Sequence, residues 1–285
     1  MRESFADRLA GIVERRESQV VVGLDPDPAR VPGGVGGAER FCLAVLDAAA
    51  EHCALAKIQL AHFERFGADG WRAYETVAAA AADHGLLVIA DAKRGDIDAT
   101  AHAYAEAFLR DPIDALTVNP MLGGDAVRPF LDAATARGKG LFMLVRTSNP
   151  GAADLQDLVL ADGRPWHEAL ARLVAVWGSA IVGDCGLSSV GAVVGATAPD
   201  RLAALRAVMP DQPFLLPGVG AQGGRAEDLA PAFGGRAAGG LIAASRSIIY
   251  SDDPAAAAAN LRAQGWAAWR SVAPRSGGPA ATLAS

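Results

Sequence analysis

Cysteine is scarce: Cys42, Cys53 and Cys185 are the three in 285 residues. They form no CxxC pair and their number is odd, which argues against a disulfide framework and points to a reducing cytosol. Neither sign of charge dominates, with 26 Lys+Arg against 32 Asp+Glu and a net charge of −6. A nucleic-acid or acidic-membrane partner is therefore not expected. No uncharged apolar run reaches about 18 residues, so no membrane span is expected. The opening stretch MRESFADRLAGIVERRES has the pattern of a charged amphipathic helix and not that of a signal peptide. Aromatic residues make up 6% of the chain and are scattered as core candidates. The five histidines (His52, His62, His84, His102, His167) show no metal-ligand spacing. A GxSxG elbow and a Cys–His pattern are missing as well.

What is present is a large apolar fraction, 51%, enough for a sizeable core. It comes in two alternating kinds. Short β-rich runs fall at 20–25, 54–60, 86–93, 114–120, 140–148, 179–184, 213–218 and 239–246. Ala- and Leu-rich stretches of helical period separate them, from AERFCLAVLDAAAEH to PAAAAANLRAQGWAAWR. Continuous apolar strands suit a parallel sheet covered on both faces. Eight βα units predict an α/β fold, a single (β/α)8 barrel, with a doubly wound open sheet as the alternative. Residues 1–273 are expected to form this one domain and 274–285 a frayed tail. Loops are expected over 26–37 and 149–163.

In a barrel, chemistry sits where strands end and βα loops begin. Strand one ends in Asp25, strand two carries Lys57, and strand three ends in Asp91-Ala92-Lys93. Strand side chains alternate with period two, so Asp91 and Lys93 share a face. Lysine inside a barrel is unfavourable unless paired, and Asp91 is its nearest partner. A structural ion pair with Asp96 as helix N-cap is the plain alternative. With Lys57 one strand away, the alternating charges favour a closed functional site. Strand four ends in Asn119-Pro120. Strand five runs into RTSNPG, which either offers Ser148 to a ligand or is simply a turn.

GVGAQG at 218–223 matches GxGxxG, but a dinucleotide loop belongs to the first βα unit of its module. Here no acidic residue follows about 20 residues on to hold a ribose; Arg246 stands there instead. A phosphate site made by the loops after strands seven and eight fits better. In it Gln222 is a neutral donor and Arg246, next to Ser245, a bidentate cation.

DAKRGDIDAT, residues 91–100, closely resembles the DxKxxDIxxT signature of the orotidine 5′-phosphate decarboxylase family. GLDPDP, AKIQLAHFE, TVNPMLGGD, RTSNPG, PGVGAQGG and ASRSI follow the family's order. The resemblance spans roughly residues 19–250 and is similar to the longer bacterial subgroup with the DxKRGDI form. It implies decarboxylation of orotidine 5′-monophosphate to uridine 5′-monophosphate with no metal and no organic cofactor. By motif match it implies that Lys93 donates a proton to C6 and that Asp91 sits near the substrate carboxylate. Lys57 completes the charge network, Asp25 contacts ribose hydroxyls and Ser148 the pyrimidine edge. Gln222 and Arg246, with backbone near Ser245, hold the phosphate. Asp96, Ile97 and Thr100 come from the second subunit of a cytoplasmic homodimer. Two positions differ from the family's pattern: Arg94 replaces an apolar residue common elsewhere, and Asn119 stands where many members carry histidine. Two other readings are a metal-dependent sugar-phosphate lyase of the same suprafamily and a non-catalytic phosphoribosyl-binding barrel. The metal-dependent relatives carry a Glu ligand where this chain has Lys57.

Overall fold

The structure, a computed structural model, describes residues 3–196, 199–220 and 223–273. The expected tail 274–285 lies outside them. Eight parallel strands close into a barrel in sequence order. They are β1 (Val20–Leu24), β2 (Leu55–Gln59), β3 (Leu87–Arg94), β4 (Ala115–Val118), β5 (Gly140–Arg146), β6 (Val190–Val194), β7 (Phe214–Pro217) and β8 (Gly240–Ala244). β1 pairs with β2 and β8, and β8 with β7 and β1, so the sheet has no edge strand, unlike an open doubly wound sheet. The helices are α1 (Phe5–Arg16), α2 (Gly34–Ala49), α3 (Ala61–Glu64), α4 (Gly67–Asp83), α5 (Asp98–Phe108) and α6 (Gly124–Arg137). They continue with α7 (Trp166–Gly178), α8 (Pro199–Val208), α9 (Ala230–Phe233), α10 (Arg246–Ile249) and α11 (Pro254–Arg270). None of the described helices is long and apolar enough to cross a membrane.

The strands' two-residue period divides the core. Val20, Val22, Ile58, Val88, Leu116 and Leu141 join one cluster with the surrounding helices. Val21, Leu55, Ile89, Phe142, Leu215 and Leu241 join a second one, inside the barrel. The amphipathic α1 belongs to this inner cluster: Phe5, Leu9 and Val13 are fully buried in it. Phe5 meets Phe142 edge-on at 6.0 Å, and Arg8 ties the helix to Asp114, just before β4. α1 thus closes the N-terminal end and leaves the C-terminal mouth open.

Two sequence expectations need correction. The sixth strand is not at 179–184, where Ser179–Ile181 form a 3-10 turn, but at Val190–Val194. Small and β-branched residues there are buried at every position, whereas the earlier Ala-Ile-Val run is too short to be covered on both sides. Helix α2 begins at Gly34 and not after 37. Gly37 closes its first turn against the Pro32 carbonyl, where a Cβ would come within 2.0 Å of the oxygen.

Candidate active site

The inward strand positions change from apolar to polar on approaching the C-terminal mouth. On β1 the inward series Val21, Gly23 leads to Asp25; on β2 Leu55 is followed by Lys57 and Gln59; on β3 Ile89 is followed by Asp91 and Lys93. The polar members, Asp25, Lys57, Gln59, Asp91 and Lys93, line a cavity of about 470 Å³ together with Thr117, Ser148, Ser245 and Arg246, over a floor of Leu144, Val193 and Leu215. That volume suits a small organic ligand. Gly23 has no room for a side chain, because a Cβ would lie 1.9 Å from Ser245 Oγ.

Asp91 is the centre of the polar end. Its Oδ2 accepts from Lys57 Nζ at 2.8 Å and from Gln59 Nε2 at 3.1 Å. Its Oδ1 accepts from Lys93 Nζ at 2.6 Å and from the Thr117 hydroxyl at 2.9 Å. Lys57 Nζ also lies 3.5 Å from Asp25 Oδ1. Burial pushes the Asp91 carboxyl up, but Lys57 and Lys93 override it and hold it well below the usual carboxylate range. Burial likewise opposes the charge on Lys57, and Asp91 and then Asp25 raise its pKa above the ordinary value. The lowered Asp91 pKa adds stability that is fully present above the ordinary carboxylate range and is lost only as pH falls through the folded value. The raised Lys57 pKa adds stability present below the ordinary lysine value and lost as pH rises through the folded one. Both groups therefore stay ionised at neutral pH.

Asp91 and Lys93 share a face, but not through regular strand. The pairing of β3 with β4 shifts register between Ala90 and Arg94, and Lys93 has φ +49°, the left-handed region that a lysine rarely occupies. Thr117 holds this backbone: its hydroxyl accepts from Lys93 N–H at 2.9 Å while donating to Asp91. Such strain at a lysine in a charged cavity is a mark of a functional position.

The other candidates divide by place. Ser148, Ser245 and Arg246 line the cavity, and no described protein group accepts from the Arg246 side chain. Asp96, Ile97, Thr100 and Asn119 do not line it. Asp96 is not the N-cap of α5; Ile97 holds that place, and among the described residues the Asp96 carboxylate accepts only the Ile97 N–H, at 2.8 Å. Ile97 is 50% exposed. Asn119 turns its side-chain oxygen to Met121 N–H at 3.2 Å. Gln222 lies outside the described residues. Arg94, the departure from the family's pattern, pairs with Glu64 and lies over the Tyr104 and Phe108 rings.

Sequence reading passed over the donor Thr117 and the clasp that holds the β5 loop. In that clasp Asp157 pairs with Arg146 and Arg201, and their hydrogen bonds and charge lower its carboxyl pKa to about 2. Gln156 Oε1 accepts Thr147 N–H at 2.8 Å. A polar residue at an inward parity of an apolar strand was the available signal for Thr117; nothing local signalled Asp157.

Residues 18–261 match the model of the orotidine 5′-phosphate decarboxylase / HUMPS family. The chain belongs to that family. It is 46% identical over 259 residues to the orotidine 5′-phosphate decarboxylase of Halorubrum lacusprofundi, covering 88% of this chain and 89% of the relative. The orotidine 5′-phosphate decarboxylase of Deinococcus radiodurans is 44% identical over 254 residues, with 88% and 91% covered. Among solved structures, the OMP decarboxylase of Leishmania donovani superposes with a TM-score of 0.81 at 36% identity, covering 93% of this chain and 98% of that one. The family membership spans every strand of the barrel, so the cavity described above lies wholly within the matched region.

Proposed function

We propose that this chain decarboxylates orotidine 5′-monophosphate to uridine 5′-monophosphate, in pyrimidine biosynthesis in the cytoplasm, with Lys93 giving the proton to C6. The observation that carries this reading is the order of groups around the cavity. Arg246 and Ser245 follow β8, Asp25 follows β1, Lys57 is on β2, and Asp91 and Lys93 are on β3, on neighbouring strands of the closed barrel. A 5′-nucleotide presents phosphate, ribose and base in the same order. Its phosphate meets the Arg246 guanidinium, its ribose meets Asp25, and C6 of its pyrimidine meets the Asp91–Lys93 pair.

The chemistry suits that placement. Loss of CO2 leaves an electron pair at C6 in the plane of the ring, out of reach of the π system. The Lys93 ammonium stabilises this charge as it develops and then donates a proton to C6, regaining one from solvent. A unit-charge pair about 4 Å apart contributes ~4 kcal/mol at an effective dielectric near 20, so this contact is large but not sufficient. Phosphate binding supplies the remainder by holding the substrate carboxylate against Asp91. Asp91 is suited to that task because its charge is locked on by four donors.

Lys57 bears on the metal-dependent alternative. Its ammonium stands at the position of the relatives' Glu ligand and already bridges Asp25 and Asp91, which supports a reaction without metal or organic cofactor. Turnover of orotidine 5′-monophosphate in excess EDTA is the test. Undiminished turnover is expected; activity restored only by added divalent cation would favour the sugar-phosphate lyase reading, and binding without turnover the non-catalytic one.

Asp96, Ile97 and Thr100 complete the site of a second subunit in this proposal. Their position outside their own cavity supports it, as do the exposed Ile97, Met121 and Leu122 on adjoining loops of the same mouth, each at least half exposed. Arg94-Gly95 within the motif supports the longer subgroup.

The phosphate assignment predicts a substrate-dependent loss. Arg246→Ala should lower kcat/KM for orotidine 5′-monophosphate by roughly 2–4 kcal/mol. Orotidine, which has no phosphate to hold, should react at nearly the same low rate with both proteins. An equal loss for the two substrates would mean that Arg246 supports the fold and not the phosphate.

A further inference from the structure

The loop after β1 reads Asp25-Pro26-Asp27-Pro28. Its two prolines carry no N–H. The Asp27 carbonyl is held by the Arg30 and Val31 N–H groups at 2.9 and 2.8 Å, whereas the Asp25 carbonyl and the Asp27 N–H, on either side of Pro26, are held by one side chain from the far end of the sequence. The Tyr250 hydroxyl accepts the Asp27 N–H at 2.7 Å and donates to the Asp25 carbonyl at 3.2 Å. It thereby grips both flanks of Pro26. The ring is fixed in turn: it stacks on Phe41 of α2 at 5.5 Å with 24° between planes, and the Arg30 guanidinium lies 4.8 Å from its centroid.

Tyr250 does not line the cavity, but it directly follows α10, the short helix that starts with Arg246. It therefore joins the end of the cavity that carries Arg246 to the backbone of Asp25, whose carboxylate faces Lys57. We infer that Tyr250 is a positioning residue: its hydroxyl sets the place of the Asp25 carboxylate for the ribose of the substrate. This rests on the proposed reading in which Asp25 contacts ribose hydroxyls. The physical ground is that Asp25 Oδ1 stands 3.5 Å from Lys57 Nζ, a long contact that does not by itself fix the carboxylate. Its aim then depends on where the backbone is held.

The substitution Tyr250→Phe removes both hydrogen bonds and keeps the ring. It should lower kcat/KM about tenfold, a loss in the range expected for two hydrogen bonds. The change should fall chiefly on KM, because ribose hydroxyls gain no charge during the reaction and bind ground and transition states alike. Asp25→Asn and the double variant complete a cycle. The double variant should be no worse than Asp25→Asn alone, because a misplaced carboxylate has no further effect once the carboxylate is gone. Leu9→Ala serves as the structural control: it leaves a cavity under α1 at the opposite end of the barrel, and should lower the melting temperature without the KM effect. Wild-type kinetics in Tyr250→Phe, or a loss that adds in full to that of Asp25→Asn, would overturn the inference while leaving Asp25 in its role. Wild-type kinetics in Asp25→Asn would overturn the ribose assignment, and the inference with it. Should Tyr250→Phe melt early, Leu9→Ala decides: an equal rise in KM in both variants overturns the positioning role.

Discussion

Lys93→Ala is expected to abolish decarboxylation, with a loss of about 10⁴-fold or more, as befits a group that acts both as general acid and as electrostatic partner of the developing charge. The protein should remain folded. Lys93 is on the rim of the charge network, with 42% of its side chain exposed, and Lys57, Gln59 and Thr117 still satisfy Asp91 without it. The left-handed backbone at residue 93 is as tolerable for alanine as for lysine, since both carry a Cβ. Binding of uridine 5′-monophosphate should persist, because Arg246 and Asp25 are untouched. Absorbance assays of turnover and calorimetric titration with the product check the two halves separately. Substantial turnover in a clean Lys93→Ala preparation would remove Lys93 from the role of proton donor.

Mixing inactive subunits should restore activity. Lys93→Ala and Asp96→Ala proteins are each expected to be nearly inert on their own. In a mixed two-fold dimer, one site receives an intact Lys93 from one subunit and an intact Asp96 from the other, while the second site lacks both. With random exchange half of the dimers are mixed, so about a quarter of wild-type activity should return. The basis is that Asp96 lies outside its own chain's cavity and, among the described residues, bonds only the adjacent Ile97 N–H. The measurement is specific activity against mixing ratio, with exchange verified by two differently tagged chains. Full exchange with no recovery would return Asp96 to its own subunit or to a purely structural part.

Both results depend on how far the sequence could be read. Local pattern was sufficient for the architecture: eight apolar runs alternating with helical stretches predict a barrel, because a strand covered on both faces must be apolar throughout. Alternation also predicted one face for Asp91 and Lys93, which they share through an irregular turn of β3 instead, and strand order put Lys57 one strand away. The amphipathic pattern of residues 5–16 was visible too, though not what its apolar face would cover. It failed for the sixth strand, where AIV at 180–182 and VGAVV at 190–194 look alike locally. Only burial between β5 and β7 chooses between them.

The sequence by itself determined which residues carry charge to the ends of strands, since alternation and strand order are properties of a short stretch of chain. Tertiary structure decided how those charges are held. Thr117 meets Asp91 across 26 residues, Arg201 meets Asp157 across 44, and Tyr250 meets Asp25 across 225. Closure of β8 onto β1 makes the first and last strands neighbours, bringing Arg246 and Asp25 to one cavity. None of these pairings leaves a periodic trace in the sequence, because each is set by the meeting of loops whose separation along the chain is arbitrary. The charges follow from the order of the residues; their geometry follows from the closing of the barrel.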